Sequence, residues 1–264
     1  MKKTFIFLGI ILAIFLITLF NCPTQQSSSG GSSSGGSNST TYSAVGLYDP
    51  TFNNGGSGSD DIFQDIEIQS DGKILIGGRF TQYNGVDVPD GIIRLNEDGS
   101  IDSTFNNGGD GANNSIETIV VQSNGKIVIG GSFNTYNDVH MPDIPICILR
   151  LNTNGSHDST FNNGGAGLHY MSDISDITIQ SDSKILIGGG FNRYNDVDVP
   201  DCLIRLNTDG SHDSTFNTGG TGMDYSVDEI VYDIAIQSDG KILICGDFSQ
   251  YNGVDVPAGI IRLY

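Results

Sequence analysis

The residues best suited to chemistry are acidic and amide side chains in a turn that occurs three times. Its first copy, Asn96-x-Asp98-Gly99-x-x-Asp102, brings three oxygen-bearing side chains close together, and calcium prefers such ligands. The position where a calcium loop needs a further oxygen donor holds Arg94, and a guanidinium has no acceptor oxygen. We therefore expect no metal here, and instead an ion pair between the arginine and the nearby aspartate. The equivalent turns begin at Asn152 and Asn207.

No other set of residues predicts catalysis. Gly31–Gly35 matches the Gly-x-Ser-x-Gly nucleophile pattern, but it lacks the flanking strand and helix that such a nucleophile needs. The cysteines Cys147, Cys202 and Cys245 give an odd number on scattered segments, so buried thiols are expected rather than a disulfide framework. The sequence predicts a protein that is not an enzyme, with no catalytic residue, no cofactor and no metal.

A five-residue pattern, Asp-x-Thr-Phe-Asn, divides the chain beyond its first 45 residues into repeats. The steps between copies are 53, 56 and 55 residues, and the copies begin at Asp49, Asp102, Asp158 and Asp213. A period of this size is typical of architectures in which each repeat buries its apolar face against its neighbours.

Each repeat is predicted to form four short antiparallel strands, because Ile-, Val- and Phe-rich segments alternate with Gly, Asn and Asp. The Asp-Gly pairs supply the positive φ that short hairpin turns need. Aromatic residues that recur once per repeat, such as Phe80 and Tyr83, are expected to pack in the core. In the first complete copy the strands are Ile66–Gln69, Lys73–Gly78, Ile92–Asn96 and Ile101–Phe105.

Units of this size and strand content are typical of β-propeller blades. The last copy stops at Ile261–Tyr264, after its third strand, and Gly46–Phe52 matches the fourth strand of the other copies. Pairing of these two ends would remove two exposed sheet edges. The predicted fold is therefore all-β, a β-propeller of four four-stranded blades whose ring is closed by pairing of the N-terminal and C-terminal strands.

The repeat resembles the delta-60 repeat family of bacterial β-propellers. The resemblance lies in Gln69–Gly78, Ile93–Asp102 and Thr104–Asn106, and it extends from about Leu47 to Leu263. It implies a propeller scaffold and brings no activity with it.

The first 21 residues have the features of a bacterial signal peptide. Two lysines precede an apolar run from Phe5 to Phe20, and Leu19 stands three residues before Cys22, which resembles a lipobox. Residues 22–45 would be the lipidated Cys22 and a Ser/Gly-rich tether, and residues 46–264 the propeller domain. We expect an exported lipoprotein anchored to a membrane of the bacterial cell envelope, at the outer membrane or cell surface. The alternatives are an uncleaved signal anchor and a secreted protein.

The chain is strongly acidic. Without the two lysines of the leader, 10 basic residues stand against 31 acidic ones, which gives a net charge near −21. This charge disfavours nucleic acid and anionic lipid headgroups as partners, so membrane contact is expected through the lipid anchor only. The chain is expected to be a monomer.

The long loops between strands are predicted to carry the binding surface. In a four-stranded blade they lie on the side opposite the tight Asp-Gly turns, and binding residues usually lie on loops held by a rigid scaffold. The predicted function is a non-catalytic, surface-tethered scaffold that binds a protein or glycan. The alternatives are a glycan-active hydrolase or lyase on the same scaffold, and an envelope structural protein without a diffusible ligand. The candidate binding residues are Asp87, Asp198, Tyr170 and Tyr225.

Overall fold

The computed structural model describes residues 47–137, 139–140, 147–163, 165, 167–168, 174–223 and 230–264, except for the side chains of His140 and Cys147. Residues 48–264 form one compact unit. All the secondary structure described in this unit is β, which confirms the predicted all-β class.

The strands fall into four modules of five strands each, which follow one another along the chain. Module 1 contains β1 (Phe63–Ile68), β2 (Ile74–Gly78), β3 (Gln82–Tyr83), β4 (Val86–Asp87) and β5 (Ile92–Leu95). Module 2 contains β6 (Ile116–Val121), β7 (Ile127–Gly131), β8 (Thr135–Tyr136), β9 (Val139–His140) and β10 (Cys147–Leu151). Module 3 contains β11 (Ile174–Ile179), β12 (Ile185–Gly189), β13 (Arg193–Tyr194), β14 (Val197–Asp198) and β15 (Leu203–Leu206). Module 4 contains β16 (Ile230–Ile236), β17 (Ile242–Asp247), β18 (Gln250–Tyr251), β19 (Val254–Asp255) and β20 (Ile260–Leu263).

Each module is built on a three-stranded antiparallel sheet. In module 1 the order is β1-β2-β5, and the other modules repeat this order. In the hairpin between β1 and β2, Gln69 N donates a hydrogen bond to Lys73 O and Gly72 N donates one to Gln69 O, with Gly72 at φ 83°. Here the structure confirms the predicted Asp-Gly turn, because only a residue without Cβ adopts this φ without strain.

The predicted fourth strand is reduced to a single bridge between Leu95 and Ile101. The side chain of Asp102 explains this, because its Oδ1 accepts hydrogen bonds from the backbone N and the hydroxyl of Thr104. These bonds turn the chain away from an extended course. The two-stranded hairpin β3–β4, which lies within a predicted loop, is an element that the sequence analysis missed.

The core lies mainly at the boundaries between modules. Leu75 and Ile92 of module 1, for example, share one buried cluster with Ile116 and Ile119 of module 2. Close approach at this boundary requires Gly77, since a Cβ there would lie 2.9 Å from Cγ2 of Ile116. One recurring aromatic position packs as predicted in all four modules, with Phe80, Phe133, Phe191 and Phe248 at most 2% exposed. Phe52 is an exception to the prediction, because it is 39% exposed.

The two end modules keep one face open to solvent. Ile66 of β1 is 61% exposed, whereas Ile119, at the same register position of module 2, is 4% exposed. At the other end, Ile260 is 54% exposed and Tyr264 is 99% exposed. The structure therefore does not confirm the predicted closure of the ring by its terminal strands.

Candidate functional site

Strand direction places the predicted binding loops on one edge of the modules. Because β1 and β5 both run antiparallel to β2, the turns that follow β1 and β5 emerge together at one edge. The hairpin β3–β4 and the connection to the next module emerge at the opposite edge, which we call the loop face.

Two of the predicted binding residues lie on the loop face, in equivalent hairpins of different modules. Asp87 ends β4 and accepts a hydrogen bond from Gln82 Nε2 at 2.8 Å. Asp198 ends β14, is paired with Arg193 at 3.2 Å, and its side chain is 92% exposed. Module 2 stands between them in the chain, so the structure does not bring them into one compact site. Tyr170 and Tyr225 lie outside the described residues.

The loop face of module 1 carries a concentration of negative charge. Partial burial, followed by the charges of Asp110, Asp60 and Asp87, raises the pKa of Asp90. Asp60 has the opposite shift, because hydrogen bonds from Gln82 and Thr81 lower its pKa to about 2. These carboxylates attract cations, but within the described parts of the chain no three potential ligands are placed to hold a metal ion.

The turn that first suggested calcium instead contains a buried cluster of charges. Asp102 Oδ2 accepts hydrogen bonds from Lys73 Nζ at 2.6 Å and from Arg94 Nε at 2.8 Å, which confirms the predicted arginine–aspartate pair. The Arg94 guanidinium lies 4.7 Å from the ring centre of Phe105. Burial opposes ionisation of Asp102, but hydrogen bonds from Lys73, Thr104 and Arg94 outweigh it and hold its pKa well below the usual range. Modules 2 and 3 repeat this charge cluster around Asp158 and Asp213.

A groove of about 460 Å³ opens on module 4. The sequence analysis did not identify this groove. In module 1 the residues that match its lining pack with Ile101, with Phe105 and with Ile116 and Ile119 of module 2. The groove lining includes Leu243, Tyr251, Val256, Ile260, Arg262 and Leu263.

Within the described residues, no cysteine belongs to a group of three or more side chains that could hold a metal ion. Cys202 is buried with φ 65°, at the position where module 1 has Gly91 with φ 72°. Cys245 is a half-buried free thiol that occupies the position of Gly77. The side chain of Cys147 and the predicted acylation site Cys22 lie outside the described residues.

Comparison with known proteins identifies the type of repeat. The chain matches the model of the family described as Domain of unknown function (DUF5122) beta-propeller at residues 69–105, 122–140, 180–216 and 237–263. These matches support a β-propeller family whose repeats are similar to the delta-60 repeat.

Among solved structures, the chain is similar to the extracellular domain of a one component system from B. thetaiotaomicron, at 13% identity and a TM-score of 0.44. That similarity covers 80% of this chain, which spans only 22% of the other. No curated protein matches the chain.

Proposed function

We propose that this β-propeller-type chain is a non-catalytic binding scaffold, exported to the bacterial cell envelope and tethered there through Cys22. Its loop face presents acidic side chains to a protein or a glycan. A cationic partner, or one bridged by divalent ions, suits this charge. No nucleic acid is expected to bind, because like charges repel.

The observation that carries this proposal is the difference between the two edges of the modules. At the turn edge, the recurring charged side chains are used within the fold, as the three hydrogen bonds to Asp102 from Lys73, Arg94 and Thr104 show. At the loop face, Asp87 and Asp198 are exposed and vary in their partners between modules. Exposed groups on rigid hairpins are available to a ligand without loss of stability.

The proposed tether rests on the leader, on Cys22 and on the Ser/Gly-rich residues that follow. A linker of this composition would let the scaffold reach away from the membrane. Among the described residues, there is no helix with the length and apolar character needed to cross a bilayer.

The closed four-bladed ring stays a prediction. It needs Gly46–Phe52 to lie beside Ile260–Tyr264 of the same chain. Its support is that these segments match the third and fourth strands of one repeat.

The binding proposal is tested by capture experiments with the full chain on a glycan array and in pull-downs from envelope extracts. The triple variant Asp87→Asn, Asp198→Asn, Tyr225→Ala is expected to weaken capture at least about fivefold, as for loss of several moderate contacts, with no change in Tm. The matched control is Asp71→Asn with Asp182→Asn, which changes the exposed turns of the same two modules. If only the control variant weakens capture, the loop face is not the binding surface.

A further inference from the structure

Among the described residues, module 4 has the two basic side chains of the charge cluster but no aspartate that bonds to both of them. Lys241 and Arg262 stand where module 1 has Lys73 and Arg94, as the shared strand register shows. Arg262 is exposed, whereas Arg94 is only 8% exposed. Lys241 instead bonds to Asp239 in its own turn. In modules 1 to 3 an aspartate accepts hydrogen bonds from both basic groups. In module 4 the lysine is as exposed as in module 1, at 30%, and only the arginine is left at the surface.

The N-terminal segment Tyr48–Asn53 contains Asp49, which is equivalent to the aspartate of the charge cluster in the other modules. Asp49 Oδ1 accepts hydrogen bonds from Thr51 N and Thr51 Oγ1 at 2.9 and 2.6 Å, the same two bonds that Asp102 makes with Thr104. Asp49 is exposed, and within the described chain no lysine or arginine bonds to its Oδ2.

This segment is already docked on one side as the internal segments are. Asn53 N donates to Asp98 O at 2.8 Å, and Asn106 N donates to Asn154 O at 2.7 Å. An internal segment thus contacts the module that follows it and also supplies the aspartate to the module before it. Tyr48–Asn53 contacts module 1 in this way, and no described module of the same chain takes its aspartate.

The groove on module 4 lies where, in module 1, both such a segment and the strand β6 of the next module cover the apolar residues. Leu243 and Ile260 in its lining correspond to Leu75 and Ile92, which are both 0% exposed and share a cluster with Phe105. Ile260 is 54% exposed. Phe52, which corresponds to Phe105, is 39% exposed rather than 4%. The module 4 groove and the segment Tyr48–Asn53 therefore correspond to the two sides of a contact that recurs in the fold, and both are open to solvent. A contact between them would bury apolar surface on each side.

The two halves do not meet within one chain of this structure. β6 packs against β1 and β11, and β16 packs against β11, but no comparable contact joins β1 to β16 among the described strands. The same glycine-mediated approach recurs at all three boundaries, at Gly77, Gly130 and Gly188, which gives consecutive modules a common arrangement. Four modules arranged in this way leave the first and last faces apart.

We propose that two copies of the chain join head to tail. Asp49, Thr51 and Phe52 of one copy occupy the module 4 groove of another, where Asp49 completes a charge cluster with Lys241 and Arg262. A contact of this kind closes into a ring if its rotation permits, and otherwise extends into a filament. This assembly departs from the monomer expected from sequence, and it does not depend on the proposed ligand binding.

The contact between copies is expected to be weaker than the contacts between modules. Cys245 stands at the position of Gly77, and Phe63 stands at the register position of Ile116. A Cβ at Gly77 would already lie 2.9 Å from Ile116 Cγ2, so the larger pair must open the approach of the inner strands. We therefore expect self-association to be reversible and to increase with protein concentration. Cys245→Gly is expected to strengthen self-association.

The test is a charge swap followed by sedimentation velocity over a range of concentrations. The full chain carries Cys22→Ser throughout, so that acylation cannot cause association. Asp49→Arg alone and Arg262→Asp alone are each expected to weaken self-association at least about tenfold, the minimum expected when a buried charge pair is broken. Asp71→Arg makes the same charge change at an exposed turn and is expected to leave association unchanged.

Mixing the two single variants distinguishes a second copy from the chain's own end. In the mixture, the arginine introduced at position 49 of one copy faces the aspartate introduced at position 262 of the other. The unchanged Asp49 and Arg262 also face each other, so association is expected to return.

A parent chain that stays monomeric at all concentrations would overturn the proposal. A different outcome would show instead that the ring closes within one chain. In that case the protein is a monomer, each single variant has a lowered Tm, and only the double variant with both changes in one chain regains the parental Tm. Neither outcome changes ligand capture by the loop face, which is measured separately.

Discussion

At the residue scale, the most informative group is the aspartate that ends each repeat. Asp102 accepts four hydrogen bonds from three side chains and one backbone N, and its own side chain is 5% exposed. A buried carboxylate is tolerable only when it is paired and fully bonded. One residue therefore turns the chain and also neutralises two basic side chains.

Asp102→Ala is predicted to destabilise the fold by about 3 kcal/mol, because it leaves the buried Arg94 without its anion. The loss is measured as the free energy of unfolding in urea. Asp98→Ala, in the same hairpin, is the matched control. The exposed Asp98 carboxylate bonds only to its neighbour Ser100, so its loss should change stability little. Equal effects of the two variants would contradict a special role for the buried cluster.

At the element scale, carboxylates at β-bulges join the inner strands at two of the three module boundaries. Asp176 of β11 accepts a hydrogen bond from Ile234 N of β16 at 2.9 Å, and Asp65 of β1 accepts one from Ile119 N of β6 at 2.6 Å. The register shifts at these two aspartates, so each bulge aims a side chain at the next module. A local irregularity thus holds neighbouring modules together.

Asp176 is predicted to make stability depend on pH. Burial, and to a lesser extent the charge of Asp233, raises its pKa from 3.8 to about 6. Between these two values the unfolded chain loses the proton before the folded chain does, so stability falls as the pH rises. The destabilising contribution is absent below about pH 4 and complete above about pH 6.

The pH dependence is measured as the Tm of Asp176→Asn minus that of the parent at a series of pH values. This difference should grow in favour of the variant from pH 4 to pH 6. The same Tm difference is measured for Asp65→Asn as a comparison. This variant changes the corresponding contact between modules 1 and 2. A difference in Tm that does not vary with pH would show that Asp176 does not titrate in this range.

At the scale of the whole molecule, the proposed scaffold combines an anchor, a tether and stacked modules whose charged loop face is free. The proposed function requires export and attachment as well as the modules. The proposed leader and the proposed acylation site Cys22 both lie in residues 1–45.

Cys22→Ser is predicted to abolish fatty-acid labelling and to shift the processed protein from the detergent phase to the aqueous phase, since stable anchoring requires acyl chains. Metabolic labelling with phase partitioning measures both effects. Cys245→Ser, which removes the free, half-buried thiol, is the control and should keep full labelling. Labelling that persists in Cys22→Ser would refute the lipoprotein assignment.

Features that are local or that recur in each repeat were predictable from the sequence. The hairpin at Gln69–Lys73 follows from its Asp-Gly pair, and the burial of Phe80 follows from its recurrence in every repeat. The pairing of Arg94 with Asp102 was also predictable, because both residues recur at fixed spacing within one hairpin. Each of these depends on neighbours within a few residues, or on the same residue repeated four times.

The tertiary structure decided what depends on contacts between modules. It reduced the fourth strand to one bridge at Ile101, and it formed the hairpin β3–β4 within a predicted loop. It also left the faces around Phe52 and Ile260 open. The physical reason is that the rotation between modules is set by side chains distant in sequence, such as Ile116 against Gly77. A repeat period reports how many modules there are, but not the angle through which each one turns.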